Sequence, residues 1–349
     1  MDIELLSSIC KQPGAPGFEK KIRDFIINEV KDIADEVSTD NIGNVYILKK
    51  GKSSDKVVMS AAHMDEIGFI VTHIDENGFI RFHTLGGFDP KTLTAQRVIV
   101  HGKEKDLIGV MGSKPIHVMS QEERGQAPKL ESYFIDLGLP KEEVDKYIQI
   151  GDSITRERDL IKLGDCVNGK SLDNRVAVYV LLKTLQELKD KEIPYDFYGV
   201  FTVQEEVGLR GATVAAHRVN PDFGIALDTT IAFDLPGAQA HEKVTSLGDG
   251  AAIKIMDAST ICDYRMVDFL KKIAEEKEIK WQPEILKAGG TDTAALQRTG
   301  KNGAIAGAIS IPTRHIHQVI EMSHCEDIDN CIKLLESAII NIDKNDWSH

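Results

Sequence analysis

Tryptophan is scarce in this 349-residue chain, which carries only Trp281 and Trp347. An aromatic platform for stacking sugars is therefore not evident. Cysteine is sparse too. Cys10, Cys166, Cys262, Cys325 and Cys331 are scattered and odd in number, and no Cys-x-x-Cys pair occurs. That pattern gives neither a disulfide framework nor a thiolate zinc site, and it fits reduced cysteines in a cytoplasmic protein. No apolar run approaches the roughly 18 residues of a membrane span. The start, Met-Asp-Ile-Glu-Leu-Leu, lacks a basic region ahead of an apolar one, so no signal peptide is expected. Positive charge is short as well: 42 Lys and Arg face 55 Asp and Glu, for a net charge of −13. This argues against nucleic acid and anionic membranes as partners, and it suits carboxylates gathered around cations. Internal repeats and low-complexity segments are absent.

What is present is a soluble, core-forming composition, 42% hydrophobic and 28% charged, on a chain long enough for two domains. Asp2 can cap a first helix carrying Leu6 and Ile9. A second amphipathic helix runs from Phe18 to Ile33. Strands are expected at Val45–Leu48 and at Val57–Ala62, the latter ending in His63-Met64-Asp65. From residue 69 to 165 the character changes to short alternating strands (Phe69–Ile74, Phe79–Leu85, Arg97–His101, Leu107–Met111), one helix at Pro140–Ile148 and a polar loop at Ser120–Lys129. This reads as a β-rich module inserted into an α/β core made of 1–68 and 166–349. The α/β rhythm then resumes: helix Asp173–Asp190, a strand through Val203, helix Arg210–His217, strand Phe223–Leu227 ending in Asp228, strand Ala251–Met256, a helix from Asp263, a Gly289-Gly290-Thr291-Asp292 turn into another helix, strand Ala304–Ile309, and a closing helix Glu326–Ile342.

The stretch Tyr198–Gly211 organises the rest. Its apolar run is a buried strand by composition and ends in adjacent carboxylates, Glu205 and Glu206. Function in open α/β sheets gathers at the carboxyl ends of strands. Two glutamates there can divide labour, one holding a metal and one moving a proton. Other strand ends or the loops beyond them finish alike: His63 with Asp65, Asp228, and His317. Asp173 opens a helix. Each is weak alone. A lone histidine is more often structural, Asp173 resembles a helix cap, Asp228 can start a turn, and Glu-Glu can be a solvated turn. Together they point to a two-metal hydrolytic site. Imidazole with carboxylate suits Zn²⁺, Co²⁺ or Mn²⁺.

Ala62-His63-Met64-Asp65-Glu66-Ile67-Gly68, Ser171-Leu172-Asp173-Asn174-Arg175, Val203-Gln204-Glu205-Glu206-Val207-Gly208, Ala226-Leu227-Asp228 and Gly289-Gly290-Thr291-Asp292 occur in one order. Taken together they resemble the tetrahedral, or glutamyl-type, aminopeptidases with two co-catalytic metals, some of whose members are labelled endoglucanase M-like. The likeness spans essentially the whole chain. It implies a mixed-sheet α/β metallopeptidase core, with the β-rich insert serving oligomerisation, from dimer to dodecamer. By the same resemblance Asp173 bridges two divalent ions, His63 and Asp228 complete one site, and Glu206 and His317 complete the other. Asp65 orients His63, Glu205 is the general base, and Thr291 and Asp292 lie on the substrate-facing loop. A cis Asp173–Asn174 peptide is implied as well. The final motif departs from the family's aromatic-Ile-His-Ser: here His315-Ile316-His317-Gln318 places a histidine at the aromatic position, and Gln318 is expected to narrow the pocket rim. His324 is expected to be structural. The chain is thus expected to be a cytoplasmic metalloaminopeptidase acting on short peptides. A metal-free glycosidase, a related di-metal deacylase or carboxypeptidase, and a non-enzymatic scaffold are the alternatives.

Overall fold

The computed structural model describes residues 1–349. Its helices are α1 (Ile3–Lys11), α2 (Lys20–Val30), α3 (Gln121–Arg124), α4 (Lys141–Tyr147), α5 (Leu172–Leu188), α6 (Arg210–Val219), α7 (Tyr264–Glu276), α8 (Thr293–Arg298) and α9 (Cys325–Asn341). The strands are β1 (Glu36–Thr39), β2 (Val45–Lys49), β3 (Ser53–His63), β4 (Gly68–Ile74), β5 (Ile80–Leu85), β6 (Arg97–His101), β7 (Asp106–Gly112), β8 (Phe134–Asp136), β9 (Ser153–Arg156), β10 (Ile161–Leu163), β11 (Cys166–Gly169), β12 (Tyr195–Thr202), β13 (Phe223–Ile231), β14 (Ala251–Met256), β15 (Trp281–Ile285), β16 (Ile305–Arg314) and β17 (Glu321–His324). No helix is long and apolar enough to cross a membrane.

A mixed sheet runs in the order β1-β2-β12-β3-β13-β16-β17-β11-β10, with β14 and β15 attached beside β16. Its centre, β12-β3-β13-β16, is parallel throughout. The four central strands therefore end on one edge, where crevices form. Both faces are covered, so these strands are apolar almost continuously. Alternation still sorts the faces. Val58, Phe197 and Phe201 join the large core with α1, α2, α5, α7 and α9. Met59, Ala61 and Val200 pack on Ala212 and Ala215 of α6 and on Ala295 and Leu296 of α8. At the start of the chain Asp2 accepts the Leu5 N–H at 3.0 Å and caps α1.

The insert closes into a barrel, β4-β5-β8-β7-β6-β9, around Phe69, Val71, Ile80, Val98, Val100, Ile135 and Ile154. Its strands span Gly68–Arg156. The expected end at 165 is corrected: β10 forms a hairpin with β11 through Gly164, which adopts φ +60°, and so belongs to the large sheet. Local pairing across a tight turn decides this. The Ser120–Lys129 loop holds the one-turn α3, because Ser120 and Glu123 form a complete capping box. Strands β13 and β16 run past their expected ends at Leu227 and Ile309. Pro312 lies inside β16 because its edge away from β13 is free there: β14 pairs with Ile309 and Ser310, and β17 starts pairing at Thr313.

Glu66 ties the α/β core together. Fully buried, it takes Lys170 Nζ on both oxygens at 2.8 and 2.7 Å and faces Arg175 at 3.7 Å. Arg175 in turn donates to the carbonyls of Ile9 and Gln12, fastening α1 to α5. Burial alone would raise the Glu66 carboxyl, but Lys170 and Arg175 outweigh it and hold the group below its ordinary value. Glu66→Ala strands a buried ammonium, so stability should fall by about 3–5 kcal/mol. The denaturant midpoint measures this; an unchanged midpoint would show that the cluster contributes nothing.

Candidate metal centre

His63 is the last residue of β3, and Asp228 lies within β13. Beyond β12 the chain turns sharply at Gln204 (φ +53°), one residue before Glu205. Three successive amides are captured there. The Gln204 N–H donates to Glu19 Oε1, that of Glu205 to Asp65 Oδ1 and that of Glu206 to Asp65 Oδ2, each at 3.1 Å. This aims both glutamate side chains into one cleft, where alternation along a straight strand would have separated them. Gly208 (φ +123°) then releases the chain into α6. Asp173 sits in the irregular first turn of α5 and is followed by a cis peptide to Asn174. Asn174 Nδ2 donates to the Leu227 carbonyl at 3.0 Å, seating that turn against β13. His317 follows β16 at φ +65°.

All five expected ligands converge. His63 Nε2 lies 3.4 Å from Asp173 Oδ1 and 3.6 Å from Asp228 Oδ1. His317 Nε2 lies 3.3 Å from Asp173 Oδ2 and 3.5 Å from Glu206 Oε2. Asp173 thus turns one oxygen to each imidazole. Glu205 Oε2 is further out, 3.8 Å from His63 Nε2. On the other side of the ring, His63 Nδ1 is 3.2 Å from the Asp65 carbonyl oxygen and 3.5 Å from its Oδ1. Two acceptors there hold a proton on Nδ1, which leaves Nε2 as the nitrogen directed at the carboxylates.

These spacings fit divalent ions. Ligand atoms about 2.0–2.1 Å from a tetrahedral Zn²⁺ stand about 3.3 Å apart. Glu206 Oε1 is buried with no hydrogen-bond partner. The donor set holds no thiolate, which suits Zn²⁺, Co²⁺ or Mn²⁺. Groupings of His63 with Glu205 and Asp228, and of His63 with Asp173 and Glu206, each offer three ligand atoms within 4.8 Å of one another. The imidazole distances divide the set further, pairing Glu206 with His317.

The electrostatics are those of crowded acids. Burial, with Asp173 adding to it, pushes Glu206 up to about 8. Burial also raises Glu205 well above the carboxylate range, Asp228 and Glu206 adding to it against His63. Burial would depress both histidines, but their carboxylate neighbours win. His63 rises well above its usual value through Glu205, Asp173 and Asp228, and His317 reaches about 9 through Asp173 and Glu206.

The cleft has a volume of about 670 Å³. Thr291 lines it, whereas Asp292 is buried below, accepting the Thr202 hydroxyl at 2.6 Å. Gln318 does not narrow the rim. It lines a separate small cavity with Phe88 and Arg156, because the turn at His317 directs the following residues toward the barrel. His324 accepts the Glu326 N–H at the start of α9, a structural role. Lys254, not among the residues expected at the site, lines the cleft fully buried between Asp257 (3.2 Å) and Glu284 (3.0 Å). Thr291 donates to Asp257 and Thr230 to Glu284. A lone lysine in the apolar run Ala251–Met256 was the available signal. Glu321, buried in β17, was missed as well.

The profile of the M42 glutamyl aminopeptidases matches residues 43–334. The chain belongs to the M42 glutamyl aminopeptidase family. Its M42 relatives include a putative aminopeptidase of Acetivibrio thermocellus, 41% identical over 96% of this chain and 98% of that one. The lysyl aminopeptidase of Pyrococcus furiosus is 34% identical over 100% and 99%. Among solved structures, the aminopeptidase APDkam598 of Desulfurococcus kamchatkensis superposes with a TM-score of 0.93 at 38% identity, covering 97% of this chain and 94% of that one. The TET1 peptidase of Pyrococcus horikoshii, which can assemble into a tetrahedron or a large octahedral shell, gives 0.87 at 31% identity over 97% and 99%. The M42 fold, the aminopeptidase class and hydrolase chemistry follow.

The titrations fix a sign. Without metal, folded Glu206 (about 8) and Asp292 (about 7) keep protons that the unfolded carboxyls release near 4. Folded His317 (about 9) keeps a proton that unfolded imidazole loses near 6.5. Each contribution is present at low pH and lost as pH rises through the folded value. In chelator, Tm should therefore fall from about pH 5 to about pH 9, and the rise in Tm on adding Zn²⁺ should grow over that window, since metal replaces protons. A flat or rising Tm in chelator would contradict the assignment.

Proposed function

We propose that this chain is a two-metal aminopeptidase that removes N-terminal residues from short peptides. The observation that carries it is the convergence of His63, Asp173, Glu206, Asp228 and His317 at metal-ligand spacing, with Glu205 beside them and outside the imidazole pairs. Asp173 is the shared ligand, His63 and Asp228 complete one site, and Glu206 and His317 complete the other. Two divalent ions, Zn²⁺ by preference with Co²⁺ or Mn²⁺ acceptable, would lower the pKa of a shared water and stabilise charge on the attacked carbonyl.

The chain's own groups do the rest. Glu205 is the general base, and its raised proton affinity suits taking a proton from water and returning it to the departing amine. Asp65 positions it by holding the Glu205 and Glu206 amides while also facing His63 Nδ1. The acidic cleft suits the ammonium of a peptide N-terminus, and Thr291 faces the substrate from the Gly289-Gly290 loop. Asp292 supports that loop from below through Thr202. The glycosidase alternative is disfavoured because two imidazoles stand among the carboxylates, where a carboxyl-only mechanism has no use for them.

Five unpaired cysteines fit the cytoplasm. The barrel exposes Ile108, Val110, Ile116 and Val118, and we assign this apolar surface to contact with further copies of the chain. Light scattering should then give an assembly between dimer and dodecamer; a monomer would refute this.

Glu205→Gln should lower kcat by about 10²–10⁴-fold while metal content by elemental analysis stays that of the wild type. Turnover retained in this variant would exclude Glu205 as the base. Peptides with an acetylated amino terminus should resist cleavage, and their hydrolysis would favour the deacylase or carboxypeptidase alternatives.

A further inference from the structure

Glu321 has no part in the roles assigned above, yet it touches two of the ligand-bearing segments. It opens β17, is completely buried, and follows His317 by one short turn. Its Oε2 accepts the N–H of Asp173 at 3.0 Å. Its Oε1 accepts the N–H of His317 at 2.9 Å. One carboxylate therefore joins the main chain at the start of α5 to the main chain beyond β16. His317 needs such a hold, since a non-glycine residue at φ +65° stays there only when its surroundings fix it. The arrangement mirrors Asp65, whose two oxygens hold the amides of Glu205 and Glu206.

The barrel reaches the turn between His317 and Glu321. Arg156, the last residue of β9, is 3% exposed, and its guanidinium sits 5.7 Å from the centre of the Phe88 ring. Its side chain lines a small cavity with Gln318 and Val319, the residues between His317 and the Glu321 strand. Its Nε and Nη2 are buried with no hydrogen-bond partner.

We propose that Glu321 is a positioning residue that clamps the backbone of Asp173 to that of His317, so that the shared carboxylate faces the second imidazole, with Arg156 anchoring this clamp to the barrel. The inference rests on the two-metal reading of the site. A carboxylate is required because two N–H donors converge on it. A glutamine has one acceptor oxygen and turns an NH₂ donor toward the other N–H, and an aspartate is a methylene too short to span both.

Zn²⁺ titration calorimetry of the chelator-stripped chain, with kcat and KM on an aminoacyl chromogenic substrate at saturating Zn²⁺, tests this on wild type, Glu321→Gln, Arg156→Met and Arg156→Lys. The expected result for Glu321→Gln is a two-ion isotherm in which one binding event weakens by about 10–100-fold, as loss of a group supporting ligands produces. With it, kcat should fall and KM should stay unchanged. Arg156→Met should move both quantities the same way, with Arg156→Lys nearer the wild type. Unchanged Zn²⁺ affinities in folded Glu321→Gln, or a lowered Tm of the metal-free chain with normal affinities and kcat, would overturn the clamp. If Glu321→Gln does not fold, the Arg156 pair decides: equal, wild-type affinities and kcat in both would overturn it. A wild-type chain that takes up fewer than two ions or works equally well in chelator would overturn the two-metal reading instead, and the clamp with it.

Discussion

Everything in this protein depends on holding negative charges close together away from bulk water. Asp65, Asp173, Glu205, Asp228, Asp292 and Glu321 are buried, and the side chain of Glu206 points among them, with two imidazoles to offset so many acids. Such crowding opposes folding unless cations or directed N–H groups compensate. The chain supplies the N–H groups, from the amides of Asp173, Gln204, Glu205, Glu206 and His317. The remaining imbalance suits divalent ions. Two other buried charge groups show the contrast. Glu66 with Lys170 and Arg175, and Lys254 with Asp257 and Glu284, carry cations of their own and serve to fix structure.

The parallel centre of the sheet makes the crowding possible. Four strands pointing one way deliver the chain four times to the same edge: β3 ends in His63, β13 passes through Asp228, and β12 and β16 lead into the turns that carry Glu206 and His317. Regular strand geometry alone would scatter these side chains over both faces. The positive-φ residues Gln204 and His317 redirect the chain just where it must bend inward, and buried carboxylates hold the bent segments. Arg156 of the barrel lines a small cavity with Gln318 and Val319, so the inserted domain adjoins the turn after His317 as well as offering an outer apolar surface.

Much of this was legible from residue order. His63, Glu205, Glu206 and Asp228 stood out because a polar ligand type at the end of an apolar strand breaks a simple pattern. Asp173 and His317 gained meaning only beside the others. Lys254, Glu284 and Glu321 were not legible. Each is a single charged residue within a strand, and its partner lies in another segment, so local pattern gives no hint of whether it is paired, exposed or supporting a ligand. Gln318 misled for a related reason. His317, its neighbour in sequence, lines the cleft, but the positive φ of His317 sends the Gln318 side chain toward Phe88 and the barrel.

The sequence by itself determined the α/β character, the inserted β-rich module, the family and the set of acids and histidines, because apolar periodicity and ordered motifs are properties of neighbouring residues. Tertiary structure alone decided which oxygen of Asp173 meets which imidazole, where the barrel stops and the large sheet resumes, and which acids stand behind the ligands. The first and third of those outcomes are set by hydrogen bonds and charge pairs between segments more than a hundred residues apart, and a linear pattern does not encode the angle at which such segments meet.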